Sequence, residues 1–98
     1  MFEIIDNNNE RIFILQKHQD GLPLSLLEEK VNDFVKNDNR DAVLDLKNLN
    51  LLDSSSLAAF IRMKRKIKAD GRDLRLINYN ESILRVIELS GLDDFLLG

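Results

Sequence analysis

The stretch that decides the fold is Asp41-Ala42-Val43-Leu44-Asp45-Leu46-Lys47, a loop through Leu52, then Asp53-Ser54-Ser55-Ser56 and Leu57-Ala58-Ala59-Phe60-Ile61-Arg62. Its first part is a short apolar run of strand length. Asp53 or Ser54 is a good helix N-cap, because a side-chain oxygen there accepts an otherwise unpaired first-turn N–H. The helix so opened runs to Lys68-Ala69-Asp70-Gly71, where the glycine supplies a stop. The stretch therefore reads strand, loop, capped helix, which is the repeating unit of an α/β sheet.

Working outward, the same unit recurs. Leu74–Tyr79 (LRLINY) is a second strand, Asn80 caps a helix with Ile83, Val86 and Ile87 on its core face, and Gly91 ends it. Upstream, Pro23 suits a first helical turn, and Leu24, Leu27, Val31, Phe34 and Val35 recur at helical spacing until Asn37-Asp38-Asn39. Before that helix, Phe2, Ile4 and Ile5 are separated from Arg11–Gln16 (RIFILQ) by Asp6-Asn7-Asn8-Asn9, a turn-forming cluster. This predicts an antiparallel hairpin whose second strand is buried on both faces. A loop over Lys17–Leu22 carries His18, Asp20 and Gly21. The last apolar segment, Phe95–Leu97, is read as a possible terminal strand. The expected order is β-β-α-β-α-β-α: a mixed, mostly parallel sheet with an N-terminal antiparallel hairpin and helices packed on it. Residues 1–98 read as a single domain, with no internal repeat or change of composition.

Composition narrows the function classes. The 98 residues are 44% hydrophobic and 32% charged, as in an ordinary globular protein, with no cysteine, one histidine, one proline and four glycines. Absent cysteine removes disulfides, thiolate metal sites and cysteine nucleophiles. One histidine disfavours a histidine-based triad or a histidine-rich metal site. The net charge of −3 divides unevenly: residues 1–50 carry six Lys/Arg against ten Asp/Glu, and residues 51–98 carry eight against seven. Neither half has the basic excess of a phosphate-backbone binder, so direct nucleic-acid binding is not expected. Nothing approaches the ~20 apolar residues of a membrane span, and the N-terminus lacks a signal-peptide pattern, so a cytoplasmic protein without membrane insertion is expected.

The serine triplet is the most informative candidate site. It follows a strand at the carboxyl edge of a parallel sheet, where ligands and modifications usually act. Three serines at a first turn are explained by capping alone. The functional alternative is regulated phosphorylation, because a phosphoserine adds ~−1.5 to −2 charges beside the carboxylate of Asp53. Catalytic readings find little support. There is no glycine-rich phosphate loop or dinucleotide fingerprint, and the serines lack the glycine-flanked elbow of a hydrolase. Asp20, Glu28, Glu29 and Asp53 have no calcium-loop spacing, and His18 reads as an exposed loop residue. No catalytic residue, metal site or cofactor is expected.

Arg62, Lys64, Arg65, Lys66 and Lys68 place five cations in the second half of one helix. A solvated face near the negative end of the helix dipole accounts for them, and a docking surface for an acidic partner is the sharper alternative.

Several of these pieces resemble one family. Val43-Leu44-Asp45-Leu46…Leu52-Asp53-Ser54-Ser55-Ser56-Leu57, Lys66-Ile67-Lys68-Ala69-Asp70-Gly71 before a strand, and Ile83…Val86-Ile87-Glu88-Leu89-Ser90-Gly91-Leu92 are similar to the signature of STAS domains of the anti-sigma-factor-antagonist type. Asp20, in Lys17-His18-Gln19-Asp20, falls where that family has a loop-ending acidic residue. The resemblance implies a STAS-like fold and a binding module, not an enzyme. Its implied partners are an anti-sigma factor that is also a serine kinase, and a resetting phosphatase. By position Ser55 would be the phosphate acceptor, with Asp20, Asp53, Ser54, Ser56 and Leu57 forming the switch surface around it. The chain departs from the family in two places. Ser56 stands where a glycine usual to the family follows the acceptor, and the sequence stops at Phe95-Leu96-Leu97-Gly98 where many antagonists carry a further strand and helix. Short family members also serve as subunits of lipid-transport ABC systems, so a transport ATPase is the alternative partner of a non-switching subunit or scaffold.

Overall fold

A computed structural model of the protein describes residues 3–16 and 24–98. Its elements are β1 (Glu3–Asp6), β2 (Glu10–Ile14), α1 (Leu24–Asn37), β3 (Asp41–Asp45), α2 (Ser54–Ala69), β4 (Leu74–Ile77), α3 (Glu81–Leu89) and α4 (Asp93–Leu97). The sheet order is β1-β2-β3-β4. β1 runs antiparallel to β2, with Ile4 opposite Phe13 and Asp6 opposite Arg11, and the β2–β3 and β3–β4 pairs are parallel. This is the mixed sheet with an N-terminal hairpin that the sequence predicts. Asn7 closes the hairpin turn as its side-chain oxygen accepts from the N–H groups of Asn9 and Glu10, both at 2.9 Å.

Alternation along the strands places the core. Phe13 and Leu15 of the second strand and its extension, Ala42, Leu44 and Leu46 around β3, and Leu74 and Leu76 of β4 turn toward the helices. They pack against Leu27, Val31 and Phe34 of α1, Ala59, Phe60, Met63 and Ile67 of α2, and Ile83 and Ile87 of α3, all buried. Leu24, Val35 and Val86, expected in the core, are half-buried at its margin. On the opposite sheet face Arg75 reaches across β3 to Glu10 at 2.6 Å, and Val43, the register partner of Arg75, is fully buried.

Three expectations need correction. The second strand is buried on both faces only from Phe13 onward. Ile12 is half-buried, because its neighbour β1 is an exposed edge strand with Ile5 as its register partner. The terminal segment is a short helix and not a strand: the Leu96 N–H donates to Leu92 O at 2.8 Å, Asp93 and Asp94 sit in the first turn where the dipole favours carboxylates, and Leu96 is buried. Lys64 does not belong to a solvated face. It is 3% exposed, and its ammonium donates to Leu96 O at 3.2 Å and faces Asp73 at 3.5 Å, fastening α2 to α4. The α2 stop is as expected. Gly71 has φ +78, and the Gly71 and Arg72 N–H groups bond back to Lys68 O and Ile67 O, a geometry that favours a residue without Cβ.

Candidate functional site

The site lies at the carboxyl end of β3, where the chain leaves the sheet. The Leu46 N–H still pairs with Ile77 O of β4 at 2.9 Å, and the Leu49 N–H then turns back to Leu46 O at 3.0 Å. Leu49 and Leu52 point into the core and pin the loop at two places, whereas Leu51 between them is 71% exposed. Asn80 braces the same loop from outside. Its amide nitrogen donates to Asn50 O at 3.0 Å and Leu49 O at 3.4 Å, and its amide oxygen caps α3 by accepting from the Ile83 N–H at 2.9 Å. A second tie joins the strand ends: the buried Asp45 carboxylate accepts from the Lys47 N–H and from the Asn78 side-chain amide, whose residue has φ +57.

From this loop Asp53 opens α2 as its N-cap, accepting from the Ser56 N–H at 2.8 Å, and its carbonyl accepts from the Leu57 N–H at 3.0 Å. The Ser56 N–H and then the Ser56 hydroxyl hold the Asp53 carboxyl below its ordinary pKa, against a smaller desolvation that raises it. Asp53 is thus a carboxylate at neutral pH. Asp53, Ser54 and Ser55 are exposed together on the rim, while Ser56 is 6% exposed and packed inward and Leu57 is half-buried against the core. The cap and the inward turn of Ser56 share one cause, since the third helical position of a capped turn faces back toward the capping residue.

Among the residues expected at the switch surface, Asp53, Ser54 and Ser55 come together on one exposed edge, and Ser56 and Leu57 underlie them. Asp20, like His18, lies outside the described residues. Sequence reasoning missed the contribution of α3. Leu51 and the 81%-exposed Leu89 line a shallow groove of about 390 Å³ with Glu81, Ser82, Arg85 and Val86, beside the serine-bearing loop. The one available signal was the Leu51-Leu52 pair, in which only one leucine can face the core. Asn80 was legible as a helix cap, but its grip on Leu49 and Asn50 joins residues some thirty positions apart. Among the described residues no cluster of three or more His, Cys, Asp or Glu is arranged to hold a metal ion, and no helix is long and apolar enough to cross a membrane.

An exposed serine in the first turn of a carboxylate-capped helix, at the carboxyl edge of a four-stranded mixed sheet, marks a small mixed α/β domain. The chain belongs to the STAS domain family, which matches residues 3–97. It is 26% identical over 70 residues to the anti-sigma-B factor antagonist of Staphylococcus aureus, covering 71% of this chain and 65% of that protein. The match thus spans somewhat under two thirds of that relative's length. In fold it is similar to an anti-sigma factor antagonist from Mycobacterium paratuberculosis, with TM-score 0.80, 19% identity, and coverage of 98% of this chain and 81% of the other. It is similar too to the Bacillus anti-sigma factor antagonist SpoIIAA. In its unphosphorylated form the TM-score is 0.79 at 15% identity, covering 99% of this chain and 86% of that one. In its phosphorylated form the TM-score is 0.74 at 16% identity, covering 99% and 89%.

Proposed function

We propose that this chain is an anti-sigma-factor antagonist: a single-domain, non-enzymatic module that binds an anti-sigma factor and is released from it when Ser55 is phosphorylated. The observation that carries the reading is the exposed Ser55 in the first turn of α2, two residues after the ionised cap Asp53. A new dianion there meets a carboxylate at once, and at a desolvated contact it costs far more than in water. The capped first turn and the loop held by Leu49, Leu52 and Asn80 keep the serine in one place, so modification alters charge without needing to refold the loop. Support by analogy comes from SpoIIAA, a protein of the same fold known in phosphorylated and unphosphorylated forms.

Ser56, in the position where glycine is usual, is compatible with the reading. Its side chain packs inward and leaves the outer surface of the turn open to an approaching kinase. The partners in this reading are an anti-sigma factor that is also a serine kinase, and a phosphatase that resets the switch. Incubating the protein with the anti-sigma kinase of its own genome and ATP should add one phosphate, mapped by mass spectrometry to Ser55. No phosphate, or phosphate only at other residues, would sink the switch and return the chain to a constitutive adaptor such as a transport-ATPase subunit.

A further inference from the structure

The basic run in the second half of α2 divides into two groups. Lys64 turns inward to Leu96 and Asp73. Arg62, Arg65 and Lys66 are exposed and line an open, mostly apolar groove of about 520 Å³ between α1 and α2, together with the exposed Ala69 and the edge of the buried Met63. Across the groove α1 contributes one carboxylate, Glu28, which Arg62 holds in a two-pronged pair at 2.6 and 3.2 Å and which also feels the more distant charge of Lys66. Arg65 and Lys66 have no carboxylate within ion-pair distance among the described residues. A solvated face would leave such cations scattered. Here they are gathered on one wall of a mostly apolar groove, in a chain whose net charge is negative.

We infer that this groove is a docking surface for an acidic amphipathic helix of a partner protein. Arg62 and Lys66, and likewise Arg65 and Ala69, stand one helical turn apart, about 6 Å along α2. Carboxylates at the same spacing on a second helix match that ladder, while its apolar side lies over Ala69 and the aliphatic stems of Arg62, Arg65 and Lys66. The surface is continuous with the serine site, because a helical period of 3.6 residues puts Ser55, Arg62 and Lys66 on nearly the same side of α2. An acidic segment lying along this stripe ends close to Ser55. A phosphate there then acts on the bound segment as like charge as well as on the contact at the helix end. The inference rests on the reading of the chain as a protein-binding module, and its test separates the two.

The probe is a synthetic helical peptide with Leu at i, i+3, i+4 and i+7 and Glu at the intervening positions, titrated into the isotope-labelled protein and followed by amide NMR shifts. The expected result is saturable shifts confined to Asn32, Arg62, Met63, Arg65, Lys66, Ala69 and their neighbours. Affinity should fall at least about tenfold in the Arg65→Glu/Lys66→Glu protein, and by a comparable factor between about 0.05 M and about 0.5 M salt. A lysine version of the same peptide should leave these amides unmoved. Shifts elsewhere on the surface, no binding, or binding indifferent to charge reversal would overturn the inference. Circular dichroism of the double variant should match the parent, since both side chains are exposed and make no ion pair among the described residues. A second arm uses the anti-sigma factor. If the peptide docks in the groove and the anti-sigma factor does not bind at all, the docking surface stands and the antagonist reading falls. If the anti-sigma factor binds with unchanged affinity after charge reversal, the groove is not its docking surface.

Discussion

The two ends of the parallel strands are built on opposite plans. At their amino ends three arginines surround one ring: the guanidinium carbons of Arg11, Arg72 and Arg40 lie 5.3, 5.6 and 5.8 Å from the centroid of Phe34. Each arginine is tied to a carboxylate, Arg11 to Asp6 at 2.7 Å, Arg40 to Asp38 at 2.7 Å and Arg72 to Asp70 at 2.8 Å. Arg72 further donates to Val35 O and Arg40 O, closing the carboxyl end of α1 against the start of β3. At the carboxyl ends the loop carries no ion pair among the described residues and exposes Leu51, and the start of α2 that follows exposes Ser54 and Ser55. One end commits its polar groups to one another, and the other leaves hydroxyls and an apolar side chain facing solvent. The difference separates stability from recognition: changes to the arginine cluster should act on unfolding, and changes to the exposed Leu51, Ser54 and Ser55 on binding, while the braces beneath the loop still contribute to stability.

Breaking the arginine end gives the largest effect. Phe34→Ala removes the ring that packs edge-on against Phe13 at 5.9 Å and under three guanidinium groups, and should cost about 3–5 kcal/mol in denaturant unfolding. Where enough of the variant remains folded, its affinity for a partner at the serine end should be that of the parent, and a matching loss of affinity would dissolve the comparison. A smaller effect is expected from Asn80→Ala, which removes the α3 cap and both loop braces. Unfolding should show a loss of about 1–2 kcal/mol, as for a lost cap with carbonyls freed to water, together with faster hydrogen exchange of the loop amides around Leu49–Leu52. An unchanged exchange rate there would mean that Leu49 and Leu52 hold the loop alone.

The smallest effect is electrostatic and sharpens the contrast by pH. The Arg40 guanidinium, then the Arg40 N–H, hold the Asp38 carboxyl well below its ordinary value of 3.8. A carboxylate lowered in the folded state contributes stability that is present in full above its unfolded pKa and is lost as pH falls through the folded one. The difference in unfolding free energy between the parent and Asp38→Asn should therefore be constant from neutral pH down to about pH 5, then shrink with further acidification. Because the pair remains partly open to solvent, screening keeps that difference small. A gap that widens on acidification would contradict the assignment of the ion pair.

The strand-loop-helix unit over Asp41–Gly71 is legible because each signal is local: an apolar run, a capping residue three positions before the N–H that donates to it, and a glycine at the stop. The mixed sheet followed from repetition of that unit. Lys64 was misread because counting charges along a helix ignores what packs beside it, and α4, which buries it, is distant in sequence. α4 was mistaken for a strand because Phe95-Leu96-Leu97 is too short for periodicity to separate the two, and its Asp93-Asp94 start was the overlooked helical signal. At the site, Asp53 and the serines were readable, whereas the inward turn of Ser56 and the Asn80 brace depend on contacts that no local pattern encodes. The arginine cluster was invisible for the same reason, since Arg40 and Arg72 meet only when two strand starts lie side by side.

The proposed switch turns on Ser55. Calorimetric titration of the cognate anti-sigma factor with the unmodified protein and with protein phosphorylated at Ser55 tests it directly. A loss of at least about tenfold in affinity on phosphorylation, or about 1.4 kcal/mol, is the predicted result. Equal affinity of the two forms would contradict it.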